Sequence, residues 1–204
     1  MLSRFALTYW PDLRNKVSDV ISAAGTHHGT NTITDVCTPL VPCPPAAWQQ
    51  KAGSNLLNAL NSQPDETPGS KVGWTTLRSL DDQTVRPVSE DAKTSSSALK
   101  GASNILIQDI CPDHETSHIG TAIDSVTFAA LRDAITHTGA AKPERFPGAE
   151  SVCDPDQLYA PGIPNPQGNN LLTVANSVTG SGQSGAPRVA REPALSRWFL
   201  LKHK

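Results

Sequence analysis

The chain has 204 residues and a mass of 21.6 kDa, room for one domain or slightly more at about 150 residues per domain. Hydrophobic residues make up 37%, below the about 45–50% usual on a count that includes Gly, so a core fits but part of the chain is expected as loop. The 17 Lys and Arg against 19 Asp and Glu give a net charge of -2, no electrostatic drive towards nucleic acid or anionic lipid, and no apolar run approaches the roughly 18 residues of a membrane helix.

Leu2, Phe5, Ala6 and Tyr9 fall at i, i+3, i+4 and i+7, which predicts a helix over 1–10 with that face buried, stopped by Pro11. The run is too interrupted for a secretory leader, and the helix starts with no cap residue before it. Val17 to Gly25 reads as a short strand ending in the turn Gly25-Thr26-His27-His28-Gly29, followed by loop over 30–45. Pro44-Pro45 open a helix at about 46–61, with Trp48, Leu56, Leu57 and Leu60 as its apolar stripe. Residues 62–71 are loop by composition, and Val72 to Ser79 is β-rich. After a Ser-, Lys- and Ala-rich loop at 88–103, Asn104 to Ile110 is the clearest strand, because contiguous apolar residues suit a strand covered on both faces. Asp124 is placed to cap a helix at 125–137, with Val126, Ala129, Ala130 and Ile135 inward and Gly139 as its stop.

Beyond Gly139 the character changes, with eight of the 17 Pro between 143 and 193. That stretch is expected to be extended loop, flexible at Gly180 to Gly185, rather than a second domain. The alternation of strands and helices argues for a parallel α/β sheet. Three strands make a thin one, so the chain reads as part of a larger sheet.

The four cysteines, Cys37, Cys43, Cys111 and Cys153, lack a C-x2-C pair, so a zinc site recruiting His27 and His28 gives way to two disulfides in an exported protein. Titratable residues follow two of the strands: Leu80-Asp81-Asp82-Gln83, then Pro112-Asp113-His114-Glu115-Thr116-Ser117-His118. Functional groups in open parallel sheets sit beyond the carboxyl ends of strands. Acid first and histidine second is the order of the last two members of an α/β-hydrolase triad.

These segments carry a resemblance. FALTYWPDLRNKV (5–17), GTHHGT (25–30), AAWQQKAGSNLLNAL (46–60), SLDDQTVRP (79–87) and NILIQDICPDHETSHIGT (104–121) keep their order and approximate spacing. Together they resemble the carboxyl-terminal part of secreted α/β-hydrolase lipases of the Candida antarctica lipase B type, over about three quarters of the chain. The resemblance implies an incomplete α/β-hydrolase fold over 1–153 with a loop-rich tail over 154–204. It makes Asp82 the triad acid and His118 the base, with His114 the runner-up, and puts Thr84 and Val85 on the substrate pocket. It pairs Cys111 with Cys153 and Cys37 with Cys43. Lipid or small acyl-ester substrates, secretion, a monomeric state when complete, and no metal or organic cofactor follow from the same likeness.

One part of the pattern is missing. The nucleophile of such lipases lies in an elbow immediately before the position matching Met1, and the oxyanion donors also lie there or upstream. Within the chain no Gly-x-Ser-x-Gly occurs. Gly182-Gln183-Ser184-Gly185 resembles a trypsin-type nucleophile segment with Gln in place of Asp, and His28-Gly29-Thr30 resembles a subtilisin His segment without a suitable Asp before it. The expectation is a truncated lipase or carboxylesterase, inactive by itself. The alternative is a non-catalytic protein on a reduced α/β-hydrolase fold.

Overall fold

The computed structural model describes residues 1–154 and 187–196. The first helix forms as α1 (Leu2–Tyr9), and Pro11 opens a 3-10 turn after it (Pro11–Asn15). Its inward face is rotated from the expected one: Arg4, Leu7 and Tyr9 are buried, whereas Leu2 is 76% exposed. Arg4 takes an interior position because its guanidinium donates to Asn61 Oδ1 and to the Leu60 carbonyl, which answers the cost of burying a polar group.

Strands β1 (Asp19–Ala23), β2 (Gly73–Arg78) and β3 (Ser103–Leu106) form a parallel sheet in the order β1-β2-β3. The register pairs Val20 with Trp74 and Leu77 with both Ala23 and Ile105. All six residues of β2 are buried, as a central strand with both faces covered requires. Successive side chains alternate, so Leu77 joins Ile105, Val126, Ala129 and Ala130 on one face while Trp74 joins Leu7, Val20 and Leu99 on the other. The expected parallel α/β organisation is therefore present.

Several boundaries differ. The loop expected at 30–45 contains a helical turn, α2 (Thr32–Val36). The helix expected over 46–61 is two helices, α3 (Pro45–Gln50) and α4 (Asn55–Asn61). Two local signals break it. Gly53 takes a positive φ of 74°, and the Ser54 hydroxyl accepts from Leu57 N–H as a new N-cap. Thr30 secures the break: its N–H donates to Gln50 O at 2.9 Å and its carbonyl accepts from Ala52 N–H at 3.2 Å.

The strand expected over 104–110 ends at Leu106, and Ile107–Ile110 turns helical as α5. A contiguous apolar run does not separate a buried strand from a buried helical turn. After α6 (His118–Thr121), helix α7 (Ser125–Thr136) starts where expected, with Asp124 Oδ1 accepting from Val126 N–H at 2.9 Å. Ala134 rather than Ile135 completes its inward face, Ile135 being 70% exposed, and the helix ends at Thr136 with His137 as its C-cap, ahead of Gly139.

Cys111 is bonded to Cys153 at the end of α8 (Ala149–Val152), and Cys37 to Cys43. The glycine-rich stretch at 180–185 lies outside the described residues. Residues 187–196 are docked: Val189 bridges Cys43, its carbonyl accepts from Trp48 Nε1, and the Glu192 carboxylate accepts from Asn55 and Leu56 N–H.

Candidate active site

The carboxyl ends of β2 and β3 place two loops side by side. After β2 the chain turns at Ser79, and Asp82 N–H donates to the Ser79 carbonyl. Asp82 is 2% exposed and its two oxygens have separate duties. Oδ1 accepts from the backbone N–H groups of Thr84 at 2.7 Å and Val85 at 2.8 Å. Oδ2 lies 3.0 Å from His118 Nδ1. The two N–H bonds fix the carboxylate plane and leave the second oxygen for the imidazole. A carboxylate only accepts, so the shared proton sits on Nδ1 and Nε2 is left as the acceptor.

His118 opens α6, held there by Ser117, whose hydroxyl accepts from Gly120 N–H at 3.2 Å. Its side chain is 27% exposed, against 3% for Asp82, so the imidazole meets solvent and the carboxylate does not. Among the described residues, no serine hydroxyl bonds His118.

The other expected residues fall as follows. Val85 is buried, and both Thr84 and Val85 contribute backbone N–H groups to Asp82. The Thr84 carbonyl also accepts from the Thr30 hydroxyl, which ties the Asp82 loop to the turn after β1. His114 is buried, with Nε2 in a short bond to Asp124 Oδ2, so this ring is engaged away from Asp82. Cys37 and Cys43 are bonded to each other and offer no thiolate to a metal with His27 and His28.

His27 is buried, with Nε2 2.9 Å from the Ser22 hydroxyl. Burial pushes its pKa well below the ordinary 6.5. The unfolded chain therefore takes up a proton near pH 6.5 that the folded protein refuses. Stability from this site is complete above about pH 6.5 and is lost as pH falls below it. In urea titrations, His27→Gln is expected to flatten the fall in stability between about pH 7 and pH 5. An unchanged slope would contradict this.

Two residues to which the sequence assigns no role join the loops. Gln108, in the first turn of α5, accepts from Leu80 N–H and shares its two Nε2 hydrogens among Ser79 Oγ, Asp81 Oδ2 and His114 O. Asp81 Oδ2 also accepts from Thr116 N–H at 3.3 Å. The one available signal was a polar residue directly following the apolar run at the carboxyl end of β3. A cleft of about 690 Å³ lined by Ser103, Gly139, Lys142 and Arg145 lies at the opposite, amino-terminal ends of the strands.

No protein-family model matches the chain. It is 28% identical over 139 residues to lipase B of Pseudozyma antarctica, a match covering 68% of this chain and 40% of that protein. The crystal structure of Aspergillus fumigatus lipase B superposes with a TM-score of 0.75 at 26% identity, over 97% of this chain and 48% of that one. The chain thus resembles lipase B in sequence and in its α/β fold, and spans less than half the length of either relative.

Proposed function

We propose that this chain carries the acid and base of a serine-type carboxylic ester hydrolase, acting on lipid or other acyl-ester substrates, with the nucleophilic serine outside residues 1–204. The observation that carries the reading is the divided use of the Asp82 carboxylate, Oδ1 on two backbone N–H groups and Oδ2 on His118 Nδ1, at the carboxyl ends of adjacent parallel strands. The likeness to lipase B supports the ester substrate class.

In this mechanism His118 Nε2 takes the serine proton as the oxygen attacks the ester carbonyl. The imidazolium that results is stabilised by Asp82, and backbone N–H groups hold the oxyanion. Collapse of the tetrahedral intermediate expels the alcohol, which receives its proton from His118. Water, deprotonated by the same nitrogen, then releases the acid. Protein groups and water suffice for every step. The two disulfides support an exported protein.

Loss of a triad serine costs up to about 10⁶ in kcat. The purified 204-residue chain is therefore expected to resist fluorophosphonate labelling and to show no ester hydrolysis above background. Stoichiometric labelling of a serine within the chain would overturn the external nucleophile. A chain that stays unlabelled even when joined to an elbow segment would favour the non-catalytic reading.

A further inference from the structure

We infer that Gln108 is the positioning residue that sets the Asp82–His118 pair, an inference that rests on the acid–base reading above. Asp82 and His118 sit on separate loops, and their mutual contact is one hydrogen bond. A 3.0 Å contact between two loops is held only if the loop backbones are themselves fixed.

The Gln108 carboxamide supplies that fixation from both sides. Its Oε1 accepts from Leu80 N–H at 3.1 Å, two residues before the acid. Its two Nε2 hydrogens are shared among Ser79 Oγ at 3.1 Å and Asp81 Oδ2 at 3.2 Å, also on the acid loop, and the His114 carbonyl at 2.9 Å, four residues before the base. The amide orientation is set by its partners, since the Leu80 N–H needs an acceptor and the His114 carbonyl a donor. Asp81 extends the clamp by accepting from Thr116 N–H. One side chain on α5 thus spans both loops, and its backbone is anchored by the β3 strand it follows.

Gln108 touches no reacting atom. Its effect on chemistry runs through the tautomer of His118: with the loops in register, Asp82 holds the proton on Nδ1 and Nε2 is free to accept. With the loops apart, the proton moves to Nε2, the form an isolated imidazole prefers, and the base is lost.

The test is ¹⁵N-edited NMR of the imidazoles of the whole chain at about pH 8, where ordinary histidines are neutral, with the His118 signals assigned by their loss in His118→Gln. Gln108→Leu removes every polar contact of the carboxamide and leaves the Asp81–Thr116 bond in place. The expected result is a folded protein by circular dichroism in which the His118 Nδ1–H signal is lost and an Nε2–H signal replaces it, as in Asp82→Asn. Should Gln108→Leu fail to fold, Gln108→Glu carries the same expectation, because it keeps an acceptor for Leu80 N–H and loses the donors. A lowered urea midpoint with an unchanged His118 tautomer would make Gln108 merely structural and overturn the inference. An unchanged tautomer in Asp82→Asn would instead overturn the acid–base pair itself, whatever the Gln108 variants do.

Discussion

Asp82→Asn, made in a protein that joins this chain to its nucleophile, is expected to lower kcat by about 10⁴-fold with KM unchanged. The size of the effect follows from the division of labour within one carboxyl group. An Asn side chain still reaches the Thr84 and Val85 N–H groups through its carbonyl oxygen, so the loop keeps its shape. It then presents an NH₂ donor to His118 Nδ1, which drives the imidazole proton to Nε2 and removes the base. The charge that would stabilise the imidazolium is lost as well. His118→Ala is expected to cost more, up to about 10⁶-fold. Steady-state hydrolysis of a chromogenic acyl ester reads both. A loss below tenfold for Asp82→Asn would remove Asp82 from the triad.

The largest expected effect on stability is at Asp124. Replacing it with Ala is expected to destabilise the fold by about 2–4 kcal/mol, a lost helix cap together with a buried hydrogen bond broken on one side. Two losses combine at this residue. Oδ1 caps α7 through Val126 N–H, an interaction of about 1 kcal/mol by itself. Oδ2 satisfies His114 Nε2, whose side chain is 3% exposed and would be left without that partner. Asp124→Asn keeps a cap acceptor and an oxygen near the ring, and is expected to fall between wild type and Ala. Urea unfolding of the three proteins decides the order. An Ala variant within about 1 kcal/mol of wild type would show that the pair contributes no more than an ordinary cap.

The elements most legible in the sequence were those whose pattern and packing agree. β2 carries β-rich residues and is buried throughout, and Asp124 stands ahead of α7 as a side-chain cap in both sequence and structure. The helix pair α3 and α4 was written in the Gly53-Ser54 step, a positive-φ residue followed by an N-cap, but the apolar stripe running through it masked the break. Ile107 reads as strand in the sequence because burial selects apolar residues in either conformation, and its placement at the start of α5 follows from tertiary context. On α1, Arg4 occupies a buried place that hydropathy assigns to an apolar side chain, because its partners Leu60 and Asn61 lie 56 and 57 residues away.

The same distance in sequence governs the site. Asp82 and His118 each stand in a segment that carries the resemblance to secreted lipases, and the proposed pair starts from those segments. Gln108 and Asp81 act between loops separated by some thirty residues, through single hydrogen bonds that leave no periodic trace. The two rings of the His118 segment find different partners, Asp124 for His114 and Asp82 for His118.

The most direct test of the central claim is the DNA sequence upstream of the Met1 codon, translated in frame. The account predicts an open frame that encodes a Gly-x-Ser-x-Gly-type elbow abutting Met1, so that α1 continues from the nucleophile turn and His118 Nε2 gains its serine. An in-frame stop codon directly before Met1, with no elbow encoded, would contradict it and leave Asp82 and His118 without a nucleophile to serve.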